Sequence, residues 1–302
     1  MILASWNINS IRARIDLLCD YLAFRQPDIL CLQELKCETA QVPVERIAQA
    51  GYRAVIHGQR TYNGVAILSR LDATDPVPGI KDRVVDDHAR LVMATIAGIR
   101  IASVYAPNGQ EPDSPAFRYK LLWFERLKRY LGRRHRASDA LVLIGDFNVA
   151  PEPIDVHNPK RWEGHTHFTI PERAALADLR SFGLVDAMRL LFPDRTRMFT
   201  WWDYRLRAFE QDRGLRLDHI LMTAPVARRL LDGDVDRDWR AREGASDHAP
   251  LWVRIADEDR PEPRRAKTST EGRSATPRAA VTSAKPRVFR ANRRAGRSRR
   301  GA

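Results

Sequence analysis

The sequence predicts an α+β domain of layered sheets and helices, and three observations carry that reading. Eight short apolar runs, partly β-branched, recur along the chain with the pattern of strands covered by helices. Between them lie stretches with apolar residues at helical spacing. The chain has 302 residues, 44% of them hydrophobic, which is enough to bury a sizeable core.

The strand-like runs cover residues 2–6, 29–32, 65–68, 91–96, 100–105, 141–144, 217–222 and 251–255. Three helices are expected among them. Ile11, Ile15, Leu18, Cys19 and Leu22 share one helical face. Phe117, Leu121, Phe124 and Leu131 do the same after the start signal Ser114-Pro115. Pro171 opens a third, with Leu176, Leu179 and Phe182 apolar and Gly183 ending it. No internal repeat is visible.

Charge divides the chain. Of the formal net charge of +13, residues 260–302 contribute +12, from 14 Lys and Arg against Glu262 and Glu271. The body before them is nearly neutral. The final stretch has few large apolar residues beyond Val281, Val288 and Phe289, too little burial to offset ordering entropy. We therefore expect a folded domain over 1–259 and a disordered basic tail over 260–302 suited to a polyanionic partner.

Cys19, Cys31 and Cys37 form no Cys-x-x-Cys pair and read as reduced packing thiols, which fits a cytoplasm. No apolar run reaches the length of a membrane span, so a soluble, unsecreted protein with no membrane partner is expected.

Five polar clusters interrupt or end the apolar runs: Asn7 with Asn9, Gln33-Glu34, Gly145-Asp146-Phe147-Asn148, Asp218-His219 and Ser246-Asp247-His248. A buried carboxylate costs free energy unless it is paired or bound to a cation. Any one cluster alone reads as a strand-end cap; five together point to one shared site. Oxygen ligands without a Cys or His cage favour magnesium or manganese over zinc, with Glu34 the best first ligand. Asp218 is available to fix the tautomer of His248, leaving the other ring nitrogen for a phosphate oxygen. His57, His88, His135, His157, His165 and His167 lack such support and read as surface or packing residues.

The matching stretches Ser5-Trp6-Asn7-Ile8-Asn9-Ser10-Ile11-Arg12-Ala13-Arg14, Leu32-Gln33-Glu34-Leu35-Lys36, Tyr105-Ala106-Pro107-Asn108-Gly109, Gly145-Asp146-Phe147-Asn148, Gly214-Leu215-Arg216-Leu217-Asp218 and Ser246-Asp247-His248-Ala249-Pro250 resemble the exonuclease III branch of the endonuclease, exonuclease and phosphatase superfamily. They run in family order. Narrower signals, Thr200-Trp201-Trp202-Asp203-Tyr204-Arg205 and Gly183-Leu184-Val185-Asp186, separate this branch from lipid and inositol phosphodiesterases. A nucleic-acid-binding protein with a degenerate site is disfavoured by the full polar set.

The resemblance implies a four-layer sandwich, two packed mixed β-sheets flanked by helices in the manner of deoxyribonuclease I, with the site at one edge. It implies a monomeric bacterial DNA repair nuclease, associated with the nucleoid, that acts on double-stranded DNA bearing abasic sites or blocked 3′ ends. Cleavage 5′ to the abasic site leaves a 3′ hydroxyl. Asn7, Glu34 and Asp247 are the implied metal-site residues, Asp247 either as ligand or one step further out. Asp146, oriented by Asn148, takes the proton of the attacking water. His248, held by Asp218, donates to the phosphate, and Tyr105 meets the same phosphate as a donor or a phenolate. Trp201, Leu215 and Leu217 are implied to line a pocket for a flipped abasic sugar.

Overall fold

Twelve strands among the described residues pair into two six-stranded sheets. They are β1 (Ile2–Asn7), β2 (Ile29–Gln33), β3 (Arg53–His57), β4 (Val65–Ser69), β5 (Ala73–Pro78), β6 (Leu91–Ile96), β7 (Ile99–Tyr105), β8 (Leu141–Asp146), β9 (Leu184–Asp186), β10 (Asp218–Thr223), β11 (Leu230–Val235) and β12 (Leu251–Ile255). The helices are α1 (Ile15–Arg25), α2 (Val44–Gln49), α3 (Pro115–Arg134), α4 (Pro159–Trp162), α5 (Ile170–Arg180), α6 (Ala187–Leu191) and α7 (Ala224–Ala227). The coordinates are a computed structural model that describes residues 1–85 and 87–257. The basic tail and its boundary at 259 lie outside the described residues.

One sheet has the order β11-β12-β1-β2-β4-β3, the other β5-β6-β7-β8-β10-β9. Both are mixed: β1 and β2 run parallel, as do β7 and β8, and the other pairings are antiparallel. Side chains alternate across each strand. Leu3, Ile29 and Cys31 of the first sheet meet Val92, Val142 and Ile144 of the second in a central core. Their neighbours point outward. Trp6, Leu30 and Leu32 pack on Leu18, Tyr21 and Leu22 of α1, while Leu141 and Leu143 pack on Trp123, Phe124 and Leu127 of α3 and on Leu176 of α5. The result is helix, sheet, sheet, helix.

The start signals act as expected. Ser114 Oγ accepts from Phe117 N at the N-terminus of α3. At α5 a capping box forms, Thr169 Oγ1 accepting from Glu172 N and Glu172 Oε2 accepting from Thr169 N. No helix among the described residues is long and apolar enough to cross a membrane. Cys19, Cys31 and Cys37 are free thiols, the last two buried.

The topology gathers strand ends. Parallel β1 and β2 finish together, Asn7 beside Gln33, and parallel β7 and β8 finish with Tyr105 beside Asp146. Antiparallel β10 begins at the same edge, Asp218 opposite Asp146, and β12 begins just after His248 with Leu251 opposite Ser5. All five polar clusters therefore meet at one end of the sandwich.

Candidate active site

Asn7 is the hinge of the site. It has no exposed surface, and its Nδ2 donates to Glu34 Oε1 and to Asp146 Oδ2, both at 2.9 Å, so one amide joins the two sheets. Asp146 also accepts from Asn148, on Oδ1 from the main-chain N at 2.8 Å and on Oδ2 from Nδ2 at 3.2 Å. Just before it, a Cβ on Gly145 would lie 1.9 Å from Val104 O. Only glycine lets β8 run that close to β7.

His248 Nδ1 lies 2.7 Å from Asp218 Oδ2, and His248 Nε2 lies 3.7 Å from Asp146 Oδ2. The loop carrying His248 is tied to β1 by Ser246, whose Oγ donates to Asn7 O at 2.6 Å and accepts from His248 N at 3.2 Å. Thr200 Oγ1 accepts from the main-chain N of both Leu217 and Asp218 at 3.0 Å, which fixes where β10 enters. Glu34, Asn9 and Asn148 all hold left-handed backbone angles, φ +54, +47 and +54. Such angles cluster where function over-determines the chain.

Burial and crowded carboxylates set the charge states. Burial, which alone would lower the pKa of His248, is outweighed by Asp218 and Asp146, and the imidazole is pushed up to about 10. Asp146 is pushed up to about 7, chiefly by burial and further by Asp218 and Glu34, against the pull of His248. A carboxylate near neutrality beside a cationic imidazole is suited to accepting a proton from water. Tyr105 is held well above its usual value by burial, Glu34 and Asp146, which favours the donor role over the phenolate.

The donor set fits a hard divalent cation. Ligand atoms of Asp146, Asp218 and His248 lie within 4.8 Å of one another; the cationic His248 is no ligand, which leaves carboxylate oxygens, of which Asp218 Oδ1 is buried without a hydrogen-bond partner. Glu34 adds a carboxylate whose Oε2 is 2.8 Å from Lys36 Nζ and whose side chain keeps 19% exposure. No cysteine is present in this set.

Asp247 sits differently from Glu34. Its Oδ1 accepts from Asn9 Nδ2 at 2.9 Å and its Oδ2 from Trp201 Nε1 at 3.0 Å, so both oxygens face protein donors. Expected at the metal either as ligand or one step further out, Asp247 here accepts from Asn9 and Trp201. Trp201 is half-buried and lines an open cavity of about 510 Å³ with Asn108, Gln110, Trp162, His165 and His167. Leu215 and Leu217 are 0% and 1% exposed and are not among its lining residues. They pack beneath Trp201 with Val156 and Phe168, so they support the wall instead of forming it. His165 and His167, read from sequence as surface or packing, stand on that wall, and the rings of His167 and Trp201 are 6.2 Å apart.

Several residues at the site carry no signal in the clusters. Arg90 stacks on Tyr105, its guanidinium 4.9 Å from the ring centroid. Lys36 Nζ donates to Asn9 Oδ1 at 2.6 Å. Arg216, 1% exposed, donates through Nε to Asp155 Oδ1 and through Nη1 to Asp186 Oδ2, both at 2.7 Å. Lys120 and Glu172 form a buried ion pair. The Arg216 and Lys120 pairs join residues 30 to 61 positions apart, a separation that motif spacing does not reveal.

The model of the Endonuclease/Exonuclease/phosphatase family matches residues 4–248. An exodeoxyribonuclease III from Haemophilus influenzae is 34% identical over 260 residues, covering 82% of this chain and 97% of that protein. An AP endonuclease from Archaeoglobus fulgidus has a similar structure, with TM-score 0.82 and 39% identity over 84% of this chain and 99% of the other. A 3′ phosphatase from Neisseria, solved with a product DNA hairpin, gives TM-score 0.81 and 39% identity over 85% and 99%.

Proposed function

The chain belongs to the Endonuclease/Exonuclease/phosphatase family and is a nuclease of the exodeoxyribonuclease III kind, and from that premise we propose that it cleaves duplex DNA 5′ to abasic sites and clears 3′ ends. The observation that carries this is the joint placement of Asp146, His248 and Asp218, with Asn7 linking Asp146 to Glu34. That set holds a general base and a cationic donor 3.7 Å apart, the spacing at which both reach one phosphate and its attacking water.

In this reading Asp146, aligned by Asn148 and Asn7, takes the proton of the water. His248, kept cationic by Asp218, donates from Nε2 to a phosphate oxygen and stabilises charge that develops there. Tyr105 donates to the same group, and Arg90 stacked on it holds the ring. The family is metal-dependent; Glu34 and Asn7 would hold a divalent cation such as magnesium or manganese, which would supply charge neutralisation at the phosphate and the leaving 3′ oxygen. Trp201 forms the wall that a flipped abasic sugar meets, steadied by Asp247.

The test is a gel assay on three duplexes, one with an abasic analogue, one blunt and intact, and one with a 3′-phosphate, each with magnesium and with chelator. Magnesium-dependent cleavage of the first and dephosphorylation of the third are expected. Inertness on all three overturns the reading.

A further inference from the structure

Lys120 lies inside α3 with no exposed surface, a costly place for an ammonium. Its ion pair with Glu172, also fully buried, balances the charge but leaves two of three N–H groups to satisfy. They go to two main-chain carbonyls, Asn148 O at 2.6 Å and Asn108 O at 3.0 Å. Asn148 lies two residues past Asp146 at the end of β8, and Asn108 lies three past Tyr105 at the end of β7. One ammonium thus ties together the loops that leave both parallel strands of the site.

Asn148 needs such a tie. Its φ of +54 is left-handed, and its carbonyl is held from two sides, by Lys120 Nζ and by His167 Nδ1 at 2.8 Å. In that conformation its main-chain N–H and its Nδ2 both reach Asp146, at 2.8 and 3.2 Å. Its side-chain amide is oriented in turn by Asn108 Nδ2, 3.5 Å from Asn148 Oδ1, and by Ala106 O, which accepts from Nδ2 at 3.0 Å. Glu172 does more than neutralise the lysine: its carboxylate also accepts from His167 N at 3.0 Å, which steadies the second donor to Asn148.

We propose that Lys120 is a positioning residue for Asp146, acting through the carbonyls of Asn148 and Asn108. This rests on the assignment of Asp146 as the base. A merely structural ion pair predicts something different, because pairs of this kind are replaceable by neutral residues of the same shape without loss of fold. If the ammonium sets the geometry of Asn148, that replacement keeps the fold and loses the chemistry.

The experiment uses the full chain with magnesium and an abasic duplex at saturating enzyme, comparing wild type, Lys120→Met/Glu172→Gln, Asn148→Ala and the triple variant. DNA affinity by anisotropy and the melting midpoint are measured on each. The neutral pair variant is expected to bind DNA as wild type does and to cleave about 100-fold more slowly, the cost of a small misplacement of a reacting group. Adding Asn148→Ala to it is expected to cost little more than Asn148→Ala alone, since both losses run through one residue. A neutral pair variant that cleaves at the wild-type rate, or losses that multiply in the triple variant, overturns the proposal. Should the neutral pair not fold, Gly109→Ala is read the same way: at φ +94 an alanine strains the loop that carries the Asn108 carbonyl, and its Cβ would meet Lys120 Cδ at 2.9 Å, so the tie is disturbed from both ends without unpairing a charge, and a wild-type cleavage rate overturns the proposal. Inertness of the wild type on the duplex would instead sink the nuclease reading itself.

Discussion

His248 and Asp218 form a buried hydrogen-bonded ion pair, Nδ1 to Oδ2 at 2.7 Å, with side chains only 5% and 1% exposed. The carboxylate is the strongest influence raising the imidazole to about 10 from 6.5 against the cost of burial. A raised histidine pKa means stability that is fully present below about 6.5 and is lost as pH rises through about 10. Asp218→Asn is therefore expected to move the alkaline fall of the single-turnover rate toward neutral pH, and to lower the rate on the order of 100-fold. A pH–rate profile with an unmoved alkaline limb would remove Asp218 from this role.

Asp146→Asn is expected to abolish turnover, by on the order of 100-fold or more, while leaving DNA binding nearly intact. The amide keeps the shape but cannot take the proton of water. Single-turnover cleavage beside a binding titration checks this, and retention of about a tenth of the wild-type rate or more would take the base role from Asp146.

Glu34→Ala removes the carboxylate that Asn7 holds at 2.9 Å. The half-saturating magnesium concentration should rise at least about 10-fold, more than losses from residues behind the ligands cause at their mildest. An unchanged metal titration would place the ion elsewhere.

The polar clusters made most of this site legible because each requirement is local: an acid or amide at the end of an apolar run is costly without a shared purpose. The fold was legible in its interior and not at its rims. The eight strands expected from apolar runs are the eight inner ones, whereas β3, β5, β9 and β11 are the four sheet edges. Edge strands bury less and tolerate polar residues, Gly and Pro, as in the Ala73–Pro78 and Leu230–Val235 segments. Asp247, Leu215 and Leu217 show a second limit. Whether a side chain faces an ion, a cavity or a neighbour depends on packing: Trp201 Nε1 donates to one oxygen of Asp247, and Leu215 and Leu217 pack against the Trp201 ring.

Trp201→Ala is expected to weaken discrimination between abasic and intact duplex about 10-fold, the order of one lost aromatic stack. Exonuclease action at a frayed 3′ end should fall less, since it does not use the wall. Both rates are measured in one preparation, and equal losses would assign Trp201 to packing.

Arg216→Met leaves Asp186 without an arginine in the interior, while Asp155 keeps only Arg189. Burial raises the pKa of each carboxyl, but Arg216 outweighs it and holds both below the usual range, so their contribution to stability is present above pH 4 and lost as pH falls through the lowered values. Loss of one partner of a buried pair costs about 3–5 kcal/mol, a fall in melting midpoint of roughly 10 °C. The penalty should begin to shrink already above about pH 4 as the solution is acidified, because without Arg216 burial raises the carboxyl of Asp186 and it takes up a proton early. A melting curve at neutral pH equal to that of wild type would show that the network is dispensable.

The pairing of β1 with β12, Ser5 opposite Leu251, has a consequence for biosynthesis. Asn7 waits for Ser246 and His248, which leave the ribosome last among the residues of the centre, roughly tens of seconds later at ordinary rates of translation. A nascent chain therefore holds no assembled centre, and hydrolytic power arrives in one step, when the final strand closes against the first.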